Sequence, residues 1–157
     1  MDQLQVDGRS FRVARATPGD VPALARLMAD DALGATRESA EMAPYLAAFR
    51  EIDTDPRQLL VVIRDAADSI VGTMQLTLIP GLARAGAMRL LIEGVRQATS
   101  ARGSGLGTAM FSWAHDHGRD NGAIMAQLTS DKTRLDAHRF YARLGYAASH
   151  EGFKLPL

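Results

Sequence analysis

A glycine-rich segment, Arg102-Gly103-Ser104-Gly105-Leu106-Gly107, is the part of the sequence best suited to chemistry. It falls between a predicted strand and a predicted helix. Glycines at alternate positions let the backbone turn tightly and let its amides approach a ligand without interference from side chains. The unpaired N–H groups at the start of the helix favour an anion. These features predict a pyrophosphate cradle from Arg102 to Thr108, with a purely structural strand–helix turn as the alternative.

Two familiar nucleotide motifs fit this segment poorly. A P-loop ends in Gly-Lys-Ser/Thr, whereas Gly107 is followed directly by Thr108. A dinucleotide fingerprint has the spacing G-x-G-x-x-G near the start of a β-α-β unit, with an acidic residue about 20 residues later. Here the glycines read G-x-G-x-G and follow a predicted hairpin. A nucleotide-binding domain is therefore the weakest of the functional alternatives.

Two segments together resemble the GNAT superfamily of acetyl-CoA-dependent acyltransferases. The family signature Arg/Gln-x-x-Gly-x-Gly/Ala is filled by Arg102, Gly105 and Gly107. The downstream segment Ala137-His138-Arg139-Phe140-Tyr141-Ala142-Arg143-Leu144-Gly145-Tyr146 is similar to the family's Ala-x-x-x-Phe-Tyr-x-x-x-Gly-Phe. The resemblance implies a single GNAT-like domain over residues 1–157, with acetyl-CoA as the acyl donor and no metal.

The resemblance also implies which residues hold the donor. The segment Ile92-Glu93-Gly94-Val95-Arg96-Gln97 resembles the family strand whose splayed end binds pantetheine through backbone groups, here those of Val95 and Gln97. The pyrophosphate contacts fall on Arg102, Gly103, Ser104, Gly105, Leu106, Gly107 and Thr108. The family often places an asparagine just past the following strand. This sequence reads Thr129-Ser130-Asp131-Lys132 there, so Ser130 or Asp131 is expected to replace it.

Two side chains are expected to move protons when the substrate amine attacks the thioester directly. Glu93 is the candidate base, because a carboxylate within an otherwise apolar strand is costly unless it is paired or used. Its alternative role is an ion pair with Arg89, four residues back on the same strand face. Tyr141 matches the family tyrosine that protonates the leaving thiolate. Its alternative role is in the apolar stripe of its helix.

Hydrophobic periodicity predicts the elements that position these residues. The order β-α-α-β-β-β-α-β-α-β indicates a mixed α/β (α+β) fold, with a central sheet of about six to seven strands flanked by about four helices. Residues 11–16 are the first predicted strand. Thr17, Pro18 and Asp20 then supply good chemistry for starting a helix.

The later elements follow the same logic. Residues 59–63 and 70–79 are predicted to form an antiparallel hairpin, because the second run alternates apolar and polar side chains. Residues 80–86 are expected to form a flexible loop. A helix is predicted from about Gly105 to Asp120, ended by Asn121-Gly122, and one or two further strands are predicted between residues 146 and 157. One face of this helix is predicted to carry Leu106, Ala109, Met110, Trp113 and Ala114.

Composition narrows the class of function. Eighteen basic and eighteen acidic residues give no net charge, which argues against a protein that works mainly through phosphate-backbone electrostatics, and so against a nucleic-acid partner. With no cysteine, disulfides and thiolate nucleophiles are excluded. The polar start and the absence of a run of about 18 apolar residues predict no membrane partner and a cytoplasmic location.

The acceptor is a small-molecule or peptide amine in this interpretation. The family shapes its acceptor site with the early helices and a loop, which here are residues 32–53 and 80–86. Acidic residues make the first region attractive to a cationic amine, although a solvated helix face explains them as well: Asp30, Asp31, Glu38, Glu41 and Glu51. A non-catalytic CoA-binding regulatory module remains the alternative function. The enzyme is expected to be of a bacterial type, and a homodimer remains open.

Overall fold

The computed structural model describes residues 2–30 and 38–157. They belong to two compact units, Met1–Gln127 and Leu128–Leu157. The first unit contains a six-stranded sheet in the order β1-β2-β3-β4-β5-β6, in which neighbours are antiparallel except for the parallel pair β5 and β6. Its elements are β1 Asp2–Val6, β2 Arg9–Arg15, α1 Val21–Ala29, α2 Ala43–Thr54, β3 Gln58–Arg64, β4 Ile70–Pro80, α3 Ala83–Gly86, β5 Met88–Gln97, α4 Leu106–Asp120 and β6 Ala123–Gln127. The predicted mixed α/β fold is confirmed.

The sheet begins one strand earlier than predicted. In β1, only Leu4 is buried, and the remaining side chains are mostly exposed and polar, so the strand lacks a strong apolar signal. A tight turn joins β1 to β2 through Asp7 and Gly8, whose φ angles are 47° and 76°. Two successive positive φ angles are typical of the type I′ turn, which Asp-Gly favours between antiparallel strands. The dipeptide Asp7-Gly8 was thus the available signal.

A short 3-10 turn, Pro18–Asp20, leads into α1 and confirms the predicted capping chemistry. The Asp20 carboxylate accepts hydrogen bonds from the Thr17 N–H and the Thr17 hydroxyl, both at 2.9 Å. It also pairs with the guanidinium of Arg64 on β3. Burial alone would raise the pKa of Asp20, but the Thr17 hydrogen bonds and the Arg64 charge outweigh it and lower that pKa. The helix is therefore fixed to the sheet at its first turn.

Two helices cover one face of the sheet. Both α1 and α2 pack on it, through Val21 and Leu24 of α1 and Phe49 of α2, against Leu60 and Val62 of β3. The spacing predicted for these helices is confirmed for those three residues. On α1, Leu27 is buried more completely than Met28, although the i, i+3, i+4, i+7 spacing from Val21 predicts Met28 on the buried stripe.

The helix α4 packs against β1, β5 and β6. Its buried side chains include Leu106, Met110 and Phe111, whereas the predicted Trp113 is only half-buried and donates to Asp2 at 2.8 Å. Glycines allow close approach on this side: a Cβ at Gly118 would lie 3.0 Å from Leu90. Asn121 and Gly122 end the helix, as predicted.

The predicted loop at residues 80–86 contains one regular turn, α3. Its central residues Arg84 and Ala85 have φ angles of 55° and 57°, so this turn is left-handed. Such angles are uncommon for residues with a Cβ. The segment that was predicted to be a flexible loop thus contains a short turn between β4 and β5.

The second unit contains the helix α5, Leu135–Arg143. The strands predicted within residues 146–157 are wrong, because that segment has no regular structure. Phe153, Leu155 and Leu157 alternate as in a strand, yet all three are exposed. Alternation alone does not make a strand without a hydrogen-bonded neighbour, and Pro156 cannot donate to one.

Candidate functional site

The strands β5 and β6 separate halfway along β5. Pairing between them runs only from Met88 to Leu91 on β5. Beyond Leu91, β5 keeps β4 as its neighbour on one side. The Ala98 N–H still donates to the Val71 carbonyl near the start of β4, at 2.9 Å. Because successive strand residues direct their backbone groups to opposite sides, Gln97 and Val95 present theirs to the open edge.

A bulge adjusts β5 at this point. Thr73 pairs with Arg96 and Gln75 pairs with Glu93, so β5 contains one more residue than β4 over this interval. Gly94 lies within the bulge at φ 59°. A bulge with glycine in the left-handed region re-aims the strand locally. The Val95 carbonyl, on the open edge, accepts a hydrogen bond from the Arg96 guanidinium at 2.9 Å.

The predicted cradle is a loop that ends as the start of α4. Gly103 and Gly105 have φ angles of 74° and 78°, and Gly105 is the N-cap of the helix. A Cβ at Gly103 would meet no atom within 4 Å, so the space beside it is open, whereas a Cβ at Gly105 would lie 3.0 Å from Val6 Cγ1. The first backbone bond of the helix runs from Ala109 to Gly105.

This arrangement leaves backbone donors available. Gly107 and Thr108 precede the first intrahelical bond, and neither N–H has an acceptor in the described part of the chain. The Leu106 side chain is fully buried, so only its backbone can face a ligand. Ser104 is engaged locally, because its hydroxyl donates to the Ala101 carbonyl at 2.7 Å and accepts from the Leu106 N–H at 3.4 Å.

Arg102 links the cradle to α1. Its guanidinium donates to the backbone carbonyl of Asp30 at 3.4 Å, and the Thr99 hydroxyl lies 3.4 Å from the Asp30 carboxylate. Asp30 is the residue that ends α1. The exposed Arg102 side chain thus lies between the end of that helix and the amides of the cradle.

Glu93 lies on the sheet face that carries α1 and α2. It pairs across the strands with Gln75, and Gln75 pairs with Leu60, which belongs to the core beneath those helices. The Glu93 side chain is exposed. Among the residues that the structure describes, no ion pair joins it to Arg89. Its role as a base remains a prediction.

The second unit holds the remaining predicted residues, Ser130 and Tyr141. The Tyr141 ring meets those of Phe140 and Tyr146 edge to face, with centroids 5.5 and 6.0 Å apart. Burial, and secondarily the charge of Tyr141, raises the pKa of Tyr146 to about 12. The Tyr146 hydroxyl therefore stays protonated well above neutral pH.

The two expected replacements for the family asparagine, Ser130 and Asp131, differ in their local hydrogen bonds. Asp131 accepts hydrogen bonds from the N–H and hydroxyl of Thr133 at 2.9 and 2.6 Å. The Ser130 hydroxyl is buried and has no hydrogen-bond partner within residues 2–30 and 38–157. A buried hydroxyl without a partner is unusual in a folded protein and fits a group that binds a ligand.

Sequence reasoning identified the acceptor region only coarsely. Residues 31–37, which include Asp31, lie outside the described residues. The hydrogen bond that Tyr45 donates to Glu38 was not predicted, although Tyr45 lies in α2 and Glu38 lies shortly before that helix. Arg26 was missed as well, since a single arginine on a polar helix face carries no sequence signal. No group of three metal-ligating side chains occurs in the described ranges.

Residues 24–146 match the model of the Acetyltransferase (GNAT) family. The chain belongs to this family. A match of this length includes the parted strands, the cradle and Tyr141, so the GNAT resemblance seen in the sequence is confirmed. The protein is an acyltransferase. None of the helices in the described ranges is both long and apolar enough to cross a membrane.

Individual relatives add detail to the GNAT assignment. The chain is 42% identical over 52 residues to the aminoalkylphosphonate N-acetyltransferase of Salmonella typhimurium, a match that covers 33% of this chain and 34% of that protein. It is 41% identical to a Bacillus halodurans C-125 protein described as a transcriptional regulator, whose structure has a TM-score of 0.89 and covers 94% of this chain and 99% of that one.

A more distant structure shares the fold. A Clostridium acetobutylicum protein described as a predicted acetyltransferase, solved with acetyl-CoA, is 14% identical with a TM-score of 0.74. The match covers 93% of this chain and 96% of that one. At this identity the likeness shows the GNAT fold alone.

Proposed function

We propose that this protein transfers an acetyl group from acetyl-CoA to a primary amine by direct attack of the amine on the thioester. The observation that carries the proposal is the cradle, where the amides of Gly107 and Thr108 lie beside two glycines of positive φ. A helix start with free donors is suited to a pyrophosphate. The acetyl-CoA in the Clostridium structure of the same fold supports the same donor.

The residues that would hold the donor follow from the geometry. The backbone groups of Val95 and Gln97 would bind the pantetheine arm as a strand binds its neighbour. The cradle would bind the pyrophosphate, with Arg102 adding charge. Ser130 supplies a buried hydroxyl for a further contact.

The acceptor amine must lose a proton before it attacks. For an amine of pKa ~10.4, reaching the neutral form at pH 7 costs ~4.6 kcal/mol, whereas an α-amine near ~7.8 costs only ~1 kcal/mol. Glu93 would accept this proton, directly or through water. Its exposure on the sheet face of α1 and α2 gives an acceptor access to it.

The leaving thiolate must gain a proton. Tyr141 would donate it, because a phenol of pKa ~10 remains protonated at pH 7 and is close enough to a thiol of pKa ~8.5 to act as an acid. The family motif around Tyr141 supports this role. The balance is then complete: the amine gains the acetyl group and loses a proton, and CoA leaves as the thiol.

The acceptor would be an amine of a small molecule or a peptide, and the names of the relatives suggest which amines to test first. The Salmonella relative is named for aminoalkylphosphonates, so 2-aminoethylphosphonate belongs in the first acceptor panel. The Salmonella and Bacillus relatives come from bacteria, which supports a bacterial-type enzyme. Cell fractionation tests the expected cytoplasmic location, and light scattering tests a homodimer.

Calorimetry of the purified protein with acetyl-CoA, using ATP and NAD as controls, tests the proposal. We expect stoichiometric binding of acetyl-CoA alone, followed by thiol release in the presence of an acceptor from a broad amine panel. Absence of acetyl-CoA binding would contradict the cradle assignment. Binding without turnover on any amine would instead favour the regulatory module.

A further inference from the structure

A cleft of about 460 Å³ runs between α1 and the segment that leads into α2. Its walls are mostly apolar and include Pro22, Ala25, Ala29 and Met42. Two charged side chains of opposite sign also line it, Arg26 from α1 and Glu38 from the approach to α2. We call this the amine cleft. An apolar cleft with few, opposite charges is suited to a small ligand that carries both charges.

The helix α1 lines the amine cleft and also contacts Arg102 of the cradle and the sheet. Ala29 lines the cleft, and the next residue, Asp30, accepts the hydrogen bond from Arg102. The same helix packs against β4 and β5, the strands that carry Gln75 and Glu93. A ligand in the cleft would therefore contact the helix that also contacts the strand of the proposed base and, through Asp30, the Arg102 side chain.

Glu38 is held in place by Tyr45. The Tyr45 hydroxyl donates to one Glu38 oxygen at 2.5 Å and accepts from the Ser39 N–H at 2.8 Å. The bond to Glu38 raises the pKa of Tyr45, so the phenol remains a donor. One carboxylate oxygen is thereby fixed, and the other is left to bind a cation.

Arg26 has an exposed guanidinium, and no acidic side chain within the described ranges forms an ion pair with it. A guanidinium presents its donors in a planar fork that matches the oxygens of a carboxylate or phosphonate. Beside apolar walls, such a group gains most from an anionic partner brought by a ligand. Arg26 thus complements Glu38 across the same cleft.

We propose that the amine cleft selects an acceptor that carries an anionic group on a short chain, with Arg26 binding the anion and Glu38 the ammonium. This inference rests on the proposed function and adds its substrate class. The amine binds as the ammonium, and its proton leaves to the base before attack. An amino acid-like carboxylate and an aminoalkylphosphonate share this chemistry.

The experiment compares three acceptors of similar length, 2-aminoethylphosphonate, β-alanine and propylamine, by thiol release at saturating acetyl-CoA. We expect higher kcat/KM for one or both anionic acceptors than for propylamine. Arg26→Gln should lower kcat/KM for the anionic acceptor by about 10- to 100-fold, as for loss of a hydrogen bond to a charged group, and leave propylamine nearly unchanged. Glu38→Gln should lower kcat/KM for all three.

The control variants remove the same charges elsewhere. Arg50→Gln changes an exposed arginine of α2 that does not line the cleft, and Asp116→Asn changes an exposed carboxylate of α4. Both should leave acceptor preference unchanged. Equal rates for propylamine and the anionic acceptors would overturn the inference, as would an Arg26→Gln effect that is the same for all three.

A binding measurement separates this inference from the proposed function. Calorimetry with 2-aminoethylphosphonate and β-alanine is run on the protein saturated with CoA, where no chemistry is needed. Binding that Arg26→Gln abolishes supports the amine cleft even if no amine is acetylated. Turnover of propylamine, with no binding of either anionic amine, upholds the acetyltransferase and overturns the cleft.

Discussion

The cradle and the amine cleft both offer charged or polar groups to a ligand, but they are built differently. The cradle is a continuous segment whose donors are backbone amides, and its shape depends on the positive φ angles of Gly103 and Gly105. The amine cleft uses the side chains of Arg26 and Glu38, which reach it from separate segments. Every residue type except proline supplies the same backbone N–H group, so the positions of the glycines determine the shape of a binding site made from such groups. A site made from side chains can change its specificity by single substitutions.

The largest expected effect is at the cradle. Gly105→Leu places a Cβ 3.0 Å from Val6 on a backbone of positive φ, and its side chain blocks access to the amides. We expect acetyl-CoA affinity to fall at least about 100-fold, which corresponds to a loss of at least about 2.7 kcal/mol of binding free energy. Calorimetry measures it.

The matched control is Gly8→Leu, at φ 76° in the β1–β2 turn with no atom within 4 Å of a Cβ. It carries a similar backbone cost but should bind acetyl-CoA normally. Thermal unfolding of both variants separates misfolding from loss of binding. A folded Gly105→Leu variant with normal affinity would show that the cradle does not bind the donor.

Glu93→Gln tests the proton transfer from the acceptor amine to the proposed base. For an acceptor such as propylamine, of high pKa, we expect kcat/KM to fall about 100-fold or more, the usual contribution of a general base. Glycinamide, whose amine pKa is near that of an α-amine, should lose much less because less work is needed to deprotonate it. Arg89→Gln is the control and should change neither rate. Equal losses for both acceptors would argue that Glu93 positions the substrate and does not take its proton.

Tyr141→Phe tests the proposed protonation of the leaving CoA thiolate. Removing the hydroxyl should lower kcat by up to about 100-fold and leave the dissociation constant of acetyl-CoA unchanged. Stopped-flow thiol release and calorimetry give the two values. If affinity and kcat fall together, Tyr141 contributes to packing or donor binding and another group protonates the thiolate.

The smallest expected effect concerns α1, which supports the amine cleft. Asp20→Asn should lower the free energy of unfolding at pH 7 by about 1–2 kcal/mol, because it weakens the bonds to Thr17 and Arg64. The pKa of Asp20 is lowered by folding, so its stabilisation is present above an unfolded pKa of about 3.9 and is lost as the pH falls through the lower folded value.

Urea unfolding at neutral and acidic pH checks this sign. The difference between the parent protein and Asp20→Asn should shrink below about pH 4. Asp53→Asn is the control, because its pair with Arg15, at 3.4 Å, is about half exposed and worth little. A difference that grows on acidification would show that Asp20 is not stabilised as a carboxylate.

The two regions also differ in how far the sequence could predict them. The loop of the cradle was predictable because its determinants are contiguous: glycines at 103 and 105 precede a strongly periodic helix, and Gly107 lies in its first turn. The start of α1 was predictable for the same reason, from Thr17, Pro18 and Asp20. Local rules of capping and backbone conformation are sufficient for both.

What the sequence did not predict depends on pairing between distant residues. The bulge at Gly94 requires knowing that Thr73 faces Arg96 and Gln75 faces Glu93. The amine cleft requires that Arg26 and Glu38 line one space. At the C-terminus the error ran the other way, because one or two strands were predicted within residues 146–157, where the chain has no regular structure.

The helix α1 is anchored at both ends, at its start through Asp20 to Arg64 of β3 and just after its end through Asp30 to Arg102. It has nine residues and therefore spans about 14 Å at a rise of 1.5 Å per residue. One inserted residue would advance the helix by about 1.5 Å and turn it by about 100°. Arg26 would then leave its side of the cleft, or one anchor would break. The length of α1 is thus fixed by its two anchors. Related sequences should therefore differ by substitutions along α1 and not by insertions or deletions within it.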